Sequence, residues 1–136
     1  MSVSIEPDSS MSSFSILLAE DNPVNQKVAT RILKHLGYQA DVVANGQQVI
    51  QAIADKSYSL ILMDVQMPEM DGLAATRYIR QQESISNLKP IVIVAITANA
   101  TDGDQTMCFE AGMDDYISKP IQIDRLKDIL HRYEFL

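Results

Sequence analysis

SILLAEDNP, residues 15–23, joins a short apolar run to the start of a helix. Its first five residues form the kind of short apolar run that is typical of a strand buried in a parallel sheet. Asn22 can cap a helix with its side chain, and Pro23 suits the first helical position. The stretch therefore predicts a strand followed at once by a helix, with the acids Glu20 and Asp21 at the junction.

The predicted first helix carries one apolar stripe. The residues of this stripe recur at helical spacing, and they are Val24, Val28, Ile32, Leu33 and Leu36. Gly37 follows at the place where a left-handed residue often ends a helix. Both ends of this strand–helix unit are therefore marked in the sequence.

The same alternation continues to the end of the chain. We expect further strands at residues 39–43, 58–63, 91–96 and 116–118. Helical patterns lie between them, around residues 49–53, at 72–82 and up to 111–112. A closing amphipathic helix spans 123–133, and its apolar stripe begins at Ile123. Five strands that alternate with five helices predict an α/β fold with a parallel sheet covered on both faces.

The residues most able to bind a ligand or to react lie at the ends of four predicted strands. Glu20 and Asp21 follow the first strand, Asp64 the third, Thr97 the fourth and Lys119 the fifth. Ligands of open α/β sheets bind at the carboxyl ends of the strands, so we expect these side chains to converge. Clustered carboxylates repel one another unless a cation lies between them. Oxygen ligands without His or Cys suit Mg²⁺.

Composition limits the other possibilities. The chain has 136 residues, a net charge of −7 and one cysteine, Cys108. This size suits one domain, the charge disfavours nucleic acid as a partner, and the single cysteine fits a reducing compartment as a packing thiol. We see no signal peptide and no apolar run long enough for a membrane span, so we expect a cytoplasmic domain without membrane contact. Residues 1–13 are Ser-rich and are predicted to be a flexible linker or tail, with the domain at residues 14–136.

Five segments together resemble response-regulator receiver domains of two-component phosphorelays. They are AEDNPVN at 19–25, LMDVQMPEMDG at 62–72, TANA at 97–100, AGMDDY at 111–116 and ISKP at 117–120. The resemblance covers about residues 14–133, and the sequences of the five segments are most similar to those of receivers in hybrid sensor histidine kinases. It implies a flavodoxin-like, doubly wound (βα)5 fold with five parallel strands in the order 2-1-3-4-5 and helices on both faces.

The resemblance also implies the roles of the site residues. Asp64 is the phosphoacceptor, and it ligates Mg²⁺ together with Asp21, with Mn²⁺ as an expected substitute. Glu20 holds the ion largely through water, and the main-chain carbonyl of Gln66 completes the protein's share. Lys119 pairs with the phosphoryl group.

Three further residues take roles from the same resemblance. Thr97 donates its hydroxyl to the phosphoryl group, and Tyr116 is the aromatic residue whose position follows Thr97. Pro120 is expected after a cis peptide bond. The resemblance implies that phosphorylation changes the conformation of the domain through Thr97 and Tyr116. We expect it to draw Thr97 and the following loop, Ala98 and Asn99, inward.

The implied function is that of a phosphoryl-accepting switch. Asp64 takes the group from a phosphohistidine, so the expected partners are a histidine kinase domain and a histidine phosphotransfer domain. The partner helix is expected near residues 22–28 and the loops around Asp64. As an isolated domain the chain is expected not to be an enzyme and to be a monomer or weak dimer. A parent hybrid sensor would be a protein histidine kinase.

Two other classes of protein were weighed from the sequence. A phosphatase of the haloacid dehalogenase type also uses an aspartyl nucleophile, but it needs a second acid where this chain has Gln66. A flavodoxin-like cofactor binder needs a phosphate-binding loop after the first strand, where Glu20 and Asp21 would repel phosphate unless Mg²⁺ intervened. Neither a coloured cofactor nor multiple-turnover phosphatase activity is expected.

Overall fold

The computed structural model describes residues 14–98 and 101–135. Within these ranges, five strands alternate with five helices, and each strand but the last is followed by a helix that leads to the next strand. The elements are β1 (Ile16–Ala19), α1 (Pro23–His35), β2 (Ala40–Val43), α2 (Gly46–Asp55), β3 (Leu60–Asp64), α3 (Gly72–Ser86), β4 (Val92–Thr97), α4 (Asp102–Ala111), β5 (Asp115–Ser118) and α5 (Ile123–Glu134). The predicted tail, residues 1–13, lies outside the described residues.

The strands form one parallel sheet in the order β2-β1-β3-β4-β5. This confirms the doubly wound, flavodoxin-like fold and its strand order. The order reverses between β1 and β3, which are neighbours in the sheet although β2 lies between them in the sequence. The carboxyl ends of β1, β3, β4 and β5 therefore meet at one edge of the sheet.

Side chains that alternate along the strands divide the core into two layers. Leu17, Ile61 and Ile93 belong to the layer that also contains buried residues of α2, α3 and α4. The other layer contains their strand neighbours and buried residues of α1 and α5, and its strand members include Leu18 and Leu62. Helices thus cover both faces. Among the described residues, no helix combines the length and the apolar content that a membrane crossing needs.

The predicted stripe of α1 is partly wrong. Leu33 is fully buried, but Val24 and Val28 are 67% and 45% exposed. Ala29, which the pattern omitted, is buried in the layer between α1 and the sheet. The helix is therefore rotated so that Ala29 and Leu33 face the sheet and the two valines point away from the core. Ile123, expected in the stripe of the last helix, is also exposed.

The ends of several elements also differ from the prediction. β3 and β4 begin one or two residues later than expected and end on Asp64 and Thr97. They extend this far because Asp64 still pairs with β4 and Thr97 still pairs with β5. α3 continues to Ser86, four residues past the predicted end, because Glu83 is buried and accepts hydrogen bonds from Arg80 and from the backbone of Ile91. The caps of α1 are as predicted: the Asn22 side chain accepts from two backbone N–H groups.

Candidate functional site

Four strand ends bring the predicted site residues together. Glu20 follows β1, Asp64 is the last residue of β3, Thr97 is the last of β4, and Lys119 follows β5. Glu20, Asp64 and Thr97 are buried, whereas Asp21 is exposed. The convergence that the sequence predicts is therefore present in the structure.

Three carboxylates form the acidic side of the site. Glu20, Asp21 and Asp64 each offer an oxygen, and these oxygens lie within 4.8 Å of one another. Glu20 is held in place because its Oε2 accepts the backbone N–H of Asn22 at 3.0 Å. Burial is the largest effect on the pKa of Glu20 and raises it; the hydrogen bond from Asn22 lowers it, the negative charge of Asp64 raises it again, Lys119 lowers it, and the net pKa is raised. The charged form of Glu20 is thus disfavoured as long as no metal ion is bound, even with Lys119 nearby.

Lys119 brings a positive charge to two of these carboxylates. Its Nζ donates to Oδ2 of Asp64 at 2.7 Å and lies 3.4 Å from Oε1 of Glu20. Burial lowers the pKa of Lys119, but the hydrogen bond and the charge of Asp64 outweigh this effect and raise the pKa overall. The backbone N–H of Lys119 donates to the carbonyl of Thr97 at 2.8 Å, and the Lys119–Pro120 peptide bond is cis.

The β3–α3 loop holds the second oxygen of Asp64. The backbone N–H of Gln66 donates to Oδ1 of Asp64 at 3.1 Å, so both carboxylate oxygens have partners. Gly72 follows this loop at the start of α3. A Cβ on Gly72 would lie 2.3 Å from the backbone oxygen of Asp64, so only glycine fits.

Two clefts meet at Asp64. The larger, of about 480 Å³, is lined by Glu20 and Asp21 and by the first turn of α1. The smaller, of about 70 Å³, is lined by Thr97 and by residues of α3 and α4. Asp64, Gln66 and Lys119 line both. The acceptor candidate therefore separates an acidic side from a side that carries a hydroxyl group.

Tyr116, the predicted switch residue, lies on β5 between α4 and α5. Its half-buried ring meets the edge of Phe109 with 6.2 Å between ring centroids. The guanidinium of Arg125 lies 5.7 Å from the ring centroid and donates to the backbone carbonyl of Tyr116 at 2.8 Å. Asn99, part of the loop expected to move with Thr97, lies outside the described residues.

Sequence reasoning missed two residues that the structure places around this site. Arg125 lies in a run of charged residues typical of an exposed helix face, but it is half-buried because it donates to the backbone carbonyl of Tyr116 and also reaches Asp115. Asp104 was not singled out, yet it lines the smaller cleft. The helical pattern in the sequence did not indicate either position, because the position of each side chain depends on how its helix packs against the sheet.

A family model for the response regulator receiver domain matches residues 16–131. Curated relatives include a probable histidine kinase 1 of Oryza sativa subsp. indica, 40% identical over 87% of this chain. Another is the hybrid signal transduction protein dokA of Dictyostelium discoideum, 46% identical over 85% of the chain. The chain spans 15% of the rice protein and 7% of dokA.

Solved structures agree with this match. The receiver domain of a sensor histidine kinase from Pseudomonas aeruginosa, with a magnesium ion in its active site cleft, is 44% identical with a TM-score of 0.80, covering 90% of this chain and 98% of that one. A Saccharomyces cerevisiae receiver domain, crystallised with its histidine phosphotransfer protein, is 27% identical with a TM-score of 0.84, covering 88% of each chain. The fold, the convergent residues and these matches lead to one conclusion: the chain belongs to the response regulator receiver domain family and is similar to the receivers of hybrid histidine kinases.

Proposed function

We propose that Asp64 accepts a phosphoryl group from a phosphohistidine of a partner protein and that this event switches the conformation of the domain. One observation carries the proposal. Asp64 is only 3% exposed, yet it lines both clefts and contacts the Lys119 ammonium at 2.7 Å. A buried carboxylate that is open to two clefts and paired with one cation suits nucleophilic attack.

The reaction would form a mixed anhydride. A carboxylate oxygen of Asp64 bonds to phosphorus while the bond from phosphorus to the histidine nitrogen breaks, and the imidazole keeps the bonding electrons. Phosphoryl transfer passes through a loose transition state, so positioning and charge neutralisation supply most of the catalysis. The N–H of Gln66 and the ammonium of Lys119 hold the carboxylate of Asp64 in place from two sides.

The acidic side fits Mg²⁺. Three carboxylate oxygens within 4.8 Å of one another form a hard, negatively charged donor set that a divalent cation would stabilise. We assign direct ligation to Asp21 and Asp64, contact through water to Glu20, and one ligand to the carbonyl of Gln66. When bound, the ion neutralises charge on the transferred group; Mn²⁺ is expected to serve in its place.

Lys119 and Thr97 would hold the transferred group. Lys119 lines both clefts, so its ammonium can leave Asp64 for a phosphoryl oxygen. Thr97 ends the strand paired with β3 and lines the smaller cleft with Asp64. Its hydroxyl would donate to the phosphoryl dianion, a charge-assisted hydrogen bond of roughly 1.5–3 kcal/mol. That is enough for a population change of about ten- to a hundredfold.

The switch would run from Thr97 to Tyr116. Movement of Thr97 toward the phosphoryl group frees space beside β4, which the half-buried ring of Tyr116 can occupy. The ring would then leave its contacts with Phe109 and Arg125. Amide chemical shifts with and without beryllofluoride, a phosphate mimic, test this route: we expect changes at Tyr116 and along α4. Changes confined to the loops around Asp64 would contradict it.

We propose a histidine kinase domain or a histidine phosphotransfer domain as the partner, and a hybrid histidine kinase as the parent protein. Val24 and Val28 are exposed one turn apart on α1, whose first turn borders the larger cleft. An apolar patch beside the acceptor suits an incoming helix that carries the histidine. Neither nucleic acid nor a membrane is proposed as a partner of this domain, and it is proposed to be monomeric or weakly dimeric.

A substitution in the patch tests the docking surface. Val24→Glu should slow phosphotransfer from a phosphorylated phosphotransfer protein. It should leave labelling by phosphoramidate unchanged, because this small donor reaches Asp64 without docking on α1. Ile85→Glu is the matched control, since Ile85 is equally exposed but lies in the last turn of α3. Equal effects of the two substitutions would contradict the assignment of this surface.

Intact mass tests the proposed function itself. Incubation with phosphoramidate and Mg²⁺ should add one phosphate, and excess chelator should prevent the addition. The isolated domain is proposed not to be an enzyme, so hydrolysis of a phosphomonoester over many turnovers would favour a phosphatase instead. No labelling under any of these conditions would contradict a phosphoacceptor role.

A further inference from the structure

Asp104 is an acidic residue in the lining of the smaller cleft that the proposed reaction does not use. It lies in the first turn of α4 and lines this cleft together with Asp64, Thr97 and Lys119. It does not line the larger cleft, where Glu20 and Asp21 lie. Within residues 14–98 and 101–135, the metal-binding cluster of carboxylates also leaves Asp104 out.

The carboxylate of Asp104 is held in place by the start of the helix. The hydroxyl of Thr101 donates to Oδ2 of Asp104 at 2.8 Å, and the backbone N–H of Asp104 donates to that hydroxyl oxygen at 3.2 Å. The charge of Asp104 acts within the cleft. The pKa of Cys108, which also lines it, is raised mainly by burial and further by Asp104.

The two clefts contain little positive charge to balance another anion. Of the described residues that line them, Lys119 is the one with a positive charge, and it already contacts both Asp64 and Glu20. A phosphoryl group brings about 1.5 to 2 negative charges at neutral pH. A cation bound among Glu20, Asp21 and Asp64 would lie on the other side of the acceptor from Asp104.

We propose that Asp104 limits the occupancy of the phosphoacceptor by repelling the anionic group on Asp64 across the smaller cleft. This inference rests on the proposed function. The repulsion makes the phosphorylated domain a better donor and a less persistent switch, which suits a domain that passes the group onward. Asp104 sets an equilibrium in this role and is not a catalytic residue.

The test is a titration with beryllofluoride in saturating Mg²⁺, in which amide chemical shifts report binding and give the affinity. Asp104→Asn keeps an acceptor for Thr101 but removes the charge, and it should tighten binding about threefold or more, as expected for one charge near a partly buried site. The gain should shrink in 1 M salt, where the Debye length is about 3 Å. Asp102→Asn is the matched control, because Asp102 lies in the same turn, is exposed and does not line the cleft.

The outcomes separate the inference from the function on which it rests. Thr101→Ala removes the cap but keeps the charge of Asp104, so it should not tighten binding. Unchanged affinity in Asp104→Asn, or an equal gain in Asp102→Asn, would overturn the inference while the proposed function stands. A chain that takes neither beryllofluoride nor phosphate at Asp64 would overturn both.

Discussion

Replacing Glu20 with Gln should have opposite effects on stability without and with Mg²⁺. Glu20 is 2% exposed, and its raised pKa means that the folded protein disfavours its charge when no metal is bound. Gln keeps the shape and an acceptor for the backbone N–H of Asn22, which lies 3.0 Å from the carboxylate. The neutral side chain should therefore stabilise the metal-free domain and weaken the metal site.

Distances at the site set the size of the metal-free effect. With an effective dielectric constant of about 20, a like charge at the 4.8 Å upper limit of the cluster repels Glu20 by about 3.5 kcal/mol, and a nearer one repels it more. The ammonium of Lys119, 3.4 Å away, attracts it by about 5 kcal/mol. Asp64 and the solvent-screened Asp21 together offset this attraction, so the burial cost decides the sign. We expect a gain in the free energy of unfolding of about 1 kcal/mol, typical of the difference between near-cancelling electrostatic terms.

Bound Mg²⁺ should reverse the order of stability. A ligand at 100 times its dissociation constant adds about 2.7 kcal/mol to the free energy of unfolding. For a domain of 136 residues, at about 4 °C per kcal/mol, this raises the melting temperature by about 10 °C. Glu20→Gln should lose most of this shift at the same Mg²⁺ concentration.

Thermal unfolding followed by circular dichroism, in chelator and across a Mg²⁺ titration, measures both effects. Glu110→Gln is the matched control, because it makes the same chemical change on the exposed side of α4. It should leave the Mg²⁺-dependent shift as in the unmodified chain. A full shift in Glu20→Gln, or none in the unmodified chain, would refute the reasoning.

Three further predictions concern single substitutions. Lys119→Ala should keep Mg²⁺ binding in calorimetric titration but bind beryllofluoride more weakly, because the ammonium meets the anion and not the metal. Gly72→Ala should lower the free energy of unfolding in urea by about 2 kcal/mol or more, because its Cβ would lie 2.3 Å from a backbone oxygen. Hydrogen bonds from Tyr58 and Lys56 lower the pKa of Asp41 below its ordinary value of 3.8. The Asp41 carboxylate therefore stabilises the fold above about pH 3.8, and this stabilisation is lost as the pH falls through the folded-state pKa. Asp41→Asn should remove less than about 1 kcal/mol at pH 7, since the pair is exposed, and flatten the acid side of the profile.

Each of these substitutions has a control or a contradicting result. Gly103 lies in a helix, and a Cβ added there would have no atom within 4 Å, so Gly103→Ala should not destabilise the domain. Asp128→Asn, on the exposed face of α5, should leave the acid side of the profile unchanged. Loss of Mg²⁺ binding in a folded Lys119→Ala, or an unaltered acid profile in Asp41→Asn, would contradict the corresponding assignment.

The fold could be predicted because its signals are local and repeat. Short apolar runs, a capping Asn22 with Pro23 behind it, and Gly37 after the helix each mark one boundary. Parallel strands place their carboxyl ends at the same edge of the sheet, so Asp64 and Lys119 could be placed at one edge before any distance was known. The strand order required the resemblance to a family, because periodicity does not say which strands are neighbours.

What the sequence could not give depends on how helices are rotated against the sheet. Val24 and Val28 fit an apolar stripe as well as Ala29 does, and only packing shows that the alanine is buried. Arg125 lies within a run of alternating charges, yet the structure shows that it donates to the backbone carbonyl of Tyr116 at 2.8 Å. The position of Asp104 in the smaller cleft follows from the packing of α4 in the same way.

The most direct test of the account is to locate the phosphoryl group. Borohydride reduces an aspartyl phosphate to an alcohol, which marks the modified residue for peptide mass mapping. After phosphoramidate and Mg²⁺, we predict the mark at Asp64 alone and its absence in Asp64→Asn. A mark at Asp21 or Asp71, or full labelling of Asp64→Asn, would contradict the central claim.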